Sequence, residues 1–435
     1  MKQRRVSILI LFFLFVTAKA SVASDAILIK NGTIVPVKGG SPVVGDLLIE
    51  NGKISKIGKN IPTPTGAEVI DASGKYVYPG LVAVMTAVGV TGYPRAGNDT
   101  DEVGISTPQM DPYDAINPED DCIEVTRVGG VTTVQTISGS RSVINGKSVV
   151  LHLGGNLAEE IIAKRNVAQI FNMGATEQNK YPSTRPGVVS YLKTKLNQAK
   201  DYAKKQSEKG QKTDKDKKSK DDKEDIYKRD LAMEALVPVV TGKVPVIFIT
   251  NNEVTIRNAL AIIEEYKLKG IIRAGSGILK YADRIAKANI PVIWAGTESV
   301  PQRWEPHDLN YHTASVLAGK GILFTFDSGG YGPGSRNVRN ITRPAAISVA
   351  HGLSEEDALE ALTINPAKIL GIADEVGSLE KGHIANVAIW TGSPIQGRSR
   401  VETVIIKGEL IPMTSFQTRL YKKFKKIVGE RMKKK

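Results

Sequence analysis

Few side chains in this 435-residue chain can carry hydrolytic or metal chemistry, and their spacing narrows the choice further. There are five histidines, His152, His307, His312, His351 and His383, and no two form the His-x-His pair with which alternate strand residues grip one cation. His307 and His312 share the polar segment Trp304 to His312, read as a loop able to line a pocket or simply to stay exposed. Asp327 follows the apolar run Ile322 to Phe326, where a carboxylate can act as base or ligand or merely cap Ser328-Gly329. Asp99, Asp101 and Glu102 form an acidic loop that can assist proton transfer or recruit a cation. Arg336, Asn337 and Arg339 follow a glycine-rich run and are candidates for a lid or an anion contact. The lone cysteine, Cys122, stands in Asp120-Asp121-Cys122, an acidic setting that should raise its pKa and discourage thiolate chemistry. One cysteine also excludes an internal disulfide and a cysteine zinc cluster. No nucleophile elbow, phosphate loop or dinucleotide fingerprint occurs in the strand and helix context it requires.

The elements that must position these groups follow two rhythms. Residues 26 to 78 alternate short apolar runs with turn signals, Ile27-Leu28-Ile29 before Asn31-Gly32 and Leu47-Leu48-Ile49 before Asn51-Gly52. Asn-Gly favours the positive φ of tight hairpins, which predicts a small antiparallel β unit. From about Tyr76 the apolar runs Val131 to Ile137, Val244 to Ile249, Gly270 to Ile272, Pro291 to Trp294 and Ile322 to Phe326 take over. They alternate with helical spacing at Leu231 to Val240, Glu253 to Lys267, Ile278 to Ala288 and Ser354 to Leu362, the last with Ser354 and Asp357 as a capping pair. This repetition predicts an α/β fold built on a (β/α)8 TIM-type barrel, with function at the C-terminal ends of its strands. Strand patterns return at Gly377 to Trp390 and Val401 to Ile406 and are expected to complete the sheet begun by residues 26 to 78. The expected divisions are a leader over 1–24, a composite β domain from 25–79 and 375–415, a barrel over 80–374, and a basic tail over 416–435.

Composition is that of an ordinary globular chain, 41% hydrophobic and 24% charged, which excludes a disordered or membrane-spanning body. Lys2, Arg4 and Arg5, the apolar run Val6 to Val16 and Ala18-Lys19-Ala20 describe a secretory signal peptide, so a periplasmic or extracellular location is expected. The net charge of +14 sits largely in Lys204 to Lys228 and Tyr421 to Lys435, not in an aromatic-studded groove, and nucleic acid is not an expected partner. Residues 204–228 are too polar to order themselves and read as a solvated insertion. In the tail, Leu420, Phe424, Ile427 and Met432 fall near one helical face among lysines, which fits an anionic lipid surface. One short helix buries little, so a solvated, frayed tail is the expectation.

Three motifs carry a resemblance. Ile49-Glu50-Asn51-Gly52-Lys53-Ile54, then Val69-Ile70-Asp71-Ala72-Ser73-Gly74-Lys75 leading into Pro79-Gly80-Leu81, resembles the entry of the amidohydrolase superfamily, in its imidazolonepropionase-like and dihydroorotase-like branches. Thr363-Ile364-Asn365-Pro366-Ala367-Lys368-Ile369-Leu370-Gly371, followed by Gly377-Ser378-Leu379, resembles its exit. The resemblance implies a (β/α)8-type barrel with a composite β-sandwich from both chain ends. It also implies hydrolysis of C–N bonds in cyclic amides, imides or ureas by metal-held water, with a strand-eight Asp moving the proton.

Carried over residue by residue, the resemblance gives Asp327 the place of that ligand and base. The first-strand pair, His-x-His in the family, falls on Met85 and Ala87. A later His-x-His falls on Ile249 and Asn251, and a Glu-His-Gly strand end falls on Arg273 and Ala274, where a guanidinium would repel a cation. A catalytic zinc site normally takes three protein ligands, and only Asp327 can be named. The expectation is a divergent family member with no cofactor beyond, at most, one weakly held divalent metal. One form is an active hydrolase using Asp327, with Asn251, Arg273, His307, His312, Asp99, Glu102 and Arg339 as substrate contacts. The other is a pseudoenzyme that binds a small molecule or pairs with an intact homologous subunit.

Overall fold

The computed structural model describes residues 26–38, 40–92, 98–100, 104–176, 180–211, 229–298, 311–330 and 332–432. The expected signal peptide and the insertion from residue 212 onward lie outside them. The chain opens with β1 (Ala26–Ile34), β2 (Val43–Glu50), β3 (Lys53–Gly58), β4 (Glu68–Asp71) and β5 (Tyr76–Pro79). Asn51 and Gly52, at φ of 52° and 72°, make the expected tight turn between β2 and β3. Asn31-Gly32 does not turn the chain. It lies inside β1, where the register against β2 shifts between Ile29 and Gly32, so the positive φ of Asn31 serves a bulge instead. Nor is the unit purely antiparallel, because β4 and β5 both pair with β1 in parallel.

The barrel comprises β6 (Leu81–Thr86), β7 (Val131–Ile137), β8 (Ile144–His152), β9 (Ile162–Lys164), β10 (Gln169–Asn172), β11 (Val246–Thr250), β12 (Gly270–Ala274), β13 (Val292–Trp294) and β14 (Phe324–Phe326). The hydrogen-bonded order is β6-β7-β8-β10-β11-β12-β13-β14, with β9 attached to β8, and a parallel bridge from Val84 to Asp327 brings the last strand back to the first. Every residue of β6, β7 and β11 is buried, because side chains fill one face and helices cover the other. Val82, Ile170, Ile247, Ile271 and Ile293 belong to the group that packs the interior. Sequence patterning gave no sign that β8 runs antiparallel to both its neighbours. Within it, Ser148 Oγ accepts from Gln135 Nε2 at 2.9 Å.

Gly80 sets the entry to the barrel: a Cβ there would sit 2.1 Å from the Thr132 hydroxyl oxygen, so only glycine lets β6 approach β7 this closely. The expected helices form at Leu231–Val240, Glu253–Tyr266, Ala282–Lys287 and Glu355–Leu362, and the Asp357 N–H donates to Ser354 Oγ at 3.0 Å as the capping pair requires. The helix Arg185–Gln211 runs into the Lys-rich segment, so residues 204–211 are helical rather than loop. Finally β15 (Val387–Trp390), β16 (Val401–Ile406) and β17 (Glu409–Ile411) join the first sheet through β15 against β5, giving eight strands drawn from both chain ends. The tail is not frayed throughout: Phe416–Met432 is a helix. No helix among the described residues is long and apolar enough to cross a membrane.

Candidate functional site

Three strand ends meet at the C-terminal rim of the barrel. Asn251 follows β11, Arg273 is the fourth residue of β12, and Asp327 follows β14. Their relative heights are fixed by the parallel register of Ile249 against Arg273 and by the Val84 to Asp327 bridge. Arg273 donates from Nε and Nη2 to Asp327 Oδ2 at 2.8 and 2.6 Å. Its Nη1 is 3.4 Å from Asn251 Oδ1. The other carboxylate oxygen, Oδ1, accepts the Gly329 N–H at 2.9 Å. The two charged side chains are 15% and 3% exposed, so this is a buried, charge-assisted pair in which both carboxylate oxygens are already engaged by the protein. Ser328 Oγ adds a hydrogen bond to the Val84 carbonyl at 3.0 Å and ties the turn to the first strand.

A cavity of about 320 Å³ opens beside the pair, lined by Arg273 and Asp327 with Trp294, Thr297, Asn337 and Asn340 among its walls. The Trp294 ring lies over Gly296, where a Cβ would come within 2.2 Å of it. The Thr297 hydroxyl is buried, with no hydrogen-bond partner among the described residues. At the rim Arg343 pairs with Glu298 at 2.5 Å. Sequence reasoning missed Trp294, Thr297, Glu298, Asn340 and Arg343. Trp294 was findable, since it ends an expected barrel strand at the functional face.

Other candidates lie elsewhere. His312 precedes the helix Thr313–Gly319 and its Nδ1 meets the His351 carbonyl at 2.7 Å, a helix-to-helix contact rather than a cavity wall. Asp99 is exposed, with its N–H bonded to the Val90 carbonyl. Arg339 is exposed, and its backbone packs against Gly129 instead of lining the cavity. His307 and Glu102 lie outside the described residues. Beside the glycine-rich run, Ser335 Oγ bonds Thr91 Oγ1 at 2.8 Å and the Gly330 carbonyl at 3.1 Å.

Met85 and Ala87 do not share a face as strand alternation predicts. Met85 adopts φ 55°, the pairing of β6 with β7 slips between Ala83 and Thr86, and the phase changes. Met85 packs with the barrel interior and Ala87 with the outer core. Ile249 and Ala274 are likewise buried. Among the described residues, the one convergence of three metal-type donors is Asp120, Asp121 and Cys122. There Asp120 caps the helix Asp121–Arg127 through the Cys122 N–H at 2.9 Å and also accepts the Gly89 N–H at 2.7 Å. Burial, more than the neighbouring acids, pushes the Cys122 thiol up. His152, inside β8, is pushed down to about 4 by burial and then by Lys407. Asn386 Oδ1 accepts the Lys407 N–H, which turns its amide N–H toward His152 Nδ1 at 3.2 Å and makes that nitrogen an acceptor.

Residues 247–411, from β11 to β17, match the family described as "Amidohydrolase family". The amidohydrolase tasK of Hapsidospora irregularis is 22% identical over 382 residues, covering 81% of this chain but 38% of its own length. A D-hydantoinase of Geobacillus stearothermophilus is 57% identical over 53 residues, 12% of this chain and 11% of that one. The chain thus spans well under half of these curated relatives. The crystal structure of an amidohydrolase from Thermotoga maritima superimposes with a TM-score of 0.78 at 29% identity, covering 88% of this chain and 99% of that one. Barrel, two-ended sheet, profile match and structural likeness over 88% of the chain together support membership of the amidohydrolase superfamily.

Proposed function

We propose that the barrel rim binds a small polar molecule through Arg273 and the adjoining cavity, and that this chain does not use metal-held water. The observation that carries the proposal is the Arg273–Asp327 pair, in which a guanidinium takes the side of the carboxylate that a metal would need. The donors do not fit the family's cation. A thioether at Met85 and hydrocarbon at Ala87, Ile249 and Ala274 are poor or empty ligands, and no three metal-type donors converge on Asp327 among the described residues. A cationic group within hydrogen-bond reach of the carboxylate further disfavours a second cation there. The guanidinium, the amides of Asn337 and Asn340 and the Thr297 hydroxyl, unpartnered among the described residues, suit a ligand rich in carbonyl or carboxylate oxygens.

Similarity to proteins named dihydroorotase and D-hydantoinase favours a second reading, hydrolysis of a C–N bond in a cyclic amide or imide with Asp327 as base. In that role Asp327 takes the proton on a carboxylate that already accepts from Arg273 at Oδ2 and from the Gly329 N–H at Oδ1. Elemental analysis of the purified protein, thermal melting with added zinc or manganese, and assay against cyclic imides, ureas and lactams separate the two. Binding alone predicts less than about a tenth of an equivalent of metal, an unmoved melting temperature and no turnover. Stoichiometric metal, or turnover that Asp327→Asn abolishes, establishes the hydrolase instead.

A further inference from the structure

We propose that the C-terminal helix Phe416–Met432 lies on an anionic membrane surface. Its root is fixed to the body: Arg419 pairs with Glu124 through two nitrogens at 3.0 and 2.9 Å, and Ser415 and Thr418 cap the first turn. Among the described residues, those from Tyr421 to Gly429 are exposed except the half-buried Ile427. Tyr421, Phe424 and Val428 are 64%, 55% and 53% exposed, large apolar side chains that a helix serving only its own fold would bury. With Leu420 and Ile427 they occupy an arc of about 120° at helical spacing. Opposite and beside that arc stand Lys422, Lys423, Lys425 and Lys426, and no acidic residue occurs between 416 and 429.

An apolar stripe bordered by lysines matches a lipid surface, where the rings enter the acyl boundary and the lysine stems reach back to phosphate. A second copy of the chain fits less well, because two such faces would bring two sets of four lysines together. The helix is not a span, since it fails the length and hydropathy that crossing requires. It lies in the interface.

The test is flotation of the full chain with vesicles of phosphatidylcholine, alone or with about 30% phosphatidylglycerol. The anionic vesicles are expected to recover at least about tenfold more protein, falling in high salt. Replacing Tyr421, Phe424 and Val428 together by serine, or the four lysines by glutamine, should each remove that excess without moving the melting temperature. Residues 1–24 are common to every variant, so their own affinity cancels. Equal recovery on both vesicles, or an excess that both variants retain, overturns the proposal. So does self-association abolished by the serine variant with no lipid preference, which would make a second copy the occupant.

Discussion

Replacing Arg273 by methionine keeps most of the apolar stem but takes the guanidinium away from the Asp327 carboxylate, which is 3% exposed. Breaking a buried pair from one side costs about 3–5 kcal/mol, because the remaining charge stays desolvated and unmatched. The adjoining cavity of about 320 Å³ gives water access to the carboxylate, which puts the expected loss near the lower limit, about 3 kcal/mol. Asp327→Asn should cost less, about 1–2 kcal/mol, since Arg273 can turn into the cavity and asparagine still offers an oxygen to the Gly329 N–H. The double variant Arg273→Met/Asp327→Asn strands neither charge. It should therefore fall short of the sum of the single effects by about 2 kcal/mol. Urea titration followed by tryptophan fluorescence reads these differences, with Trp294 reporting from the cavity wall and an unchanged slope showing that the unfolded state is the same. A loss under about 1 kcal/mol for Arg273→Met, or strict additivity of the two sites, would refute the claim that this pair holds the strand ends together.

The remaining predictions concern the buried titratable groups. The His152 imidazole, held at about 4 in the folded chain against about 6.5 unfolded, binds fewer protons folded than unfolded, so its stability contribution is intact above about 6.5 and is lost as pH falls toward 4. The loss amounts to about 3 kcal/mol, and His152→Gln, which keeps an acceptor for Asn386, should flatten the dependence in urea titrations across that range. Cys122, buried and pushed up, should react with an aromatic disulfide reagent only as fast as the protein unfolds; rapid labelling of the native chain would show its setting to be open.

Much of the barrel was legible because parallel strands covered on both faces are written as unbroken apolar runs, and β7, β11 and β13 appear within a residue or two of those runs. The Asn-Gly signal was half right. At Asn51-Gly52 positive φ makes a hairpin, while at Asn31-Gly32 it makes a bulge, and the dipeptide cannot tell the two apart without the partner strand. β8 escaped notice because its polar residues are satisfied by partners distant in sequence: Ser148 by Gln135, and the Asn145 carbonyl by Gln169. At the rim, Asn251, Arg273 and Asp327 were each singled out, but as separate substitutions in a metal site. That two of them form one ion pair, 54 residues apart, is a property of strand register and not of either local sequence. His312, read from the sequence as part of a loop able to line a pocket or stay exposed, stands against the His351 carbonyl.

The phase change at Met85 and the guanidinium at position 273 have linked physical consequences under the proposed reading. A carboxylate at the end of β14, 3% exposed, is tolerable only with a cation beside it. Methionine at φ 55° turns its side chain into the barrel packing and offers nothing to hold a metal. The compensating charge must then come from the protein, and Arg273 supplies it with two donors on one oxygen, a geometry that a lysine's point charge would not reproduce. Arg273→Lys should consequently keep the charge balance yet loosen the strand ends, losing part of the stability that Arg273→Met loses in full. If lysine proves fully equivalent in the same urea titration, charge alone matters and the forked geometry does not.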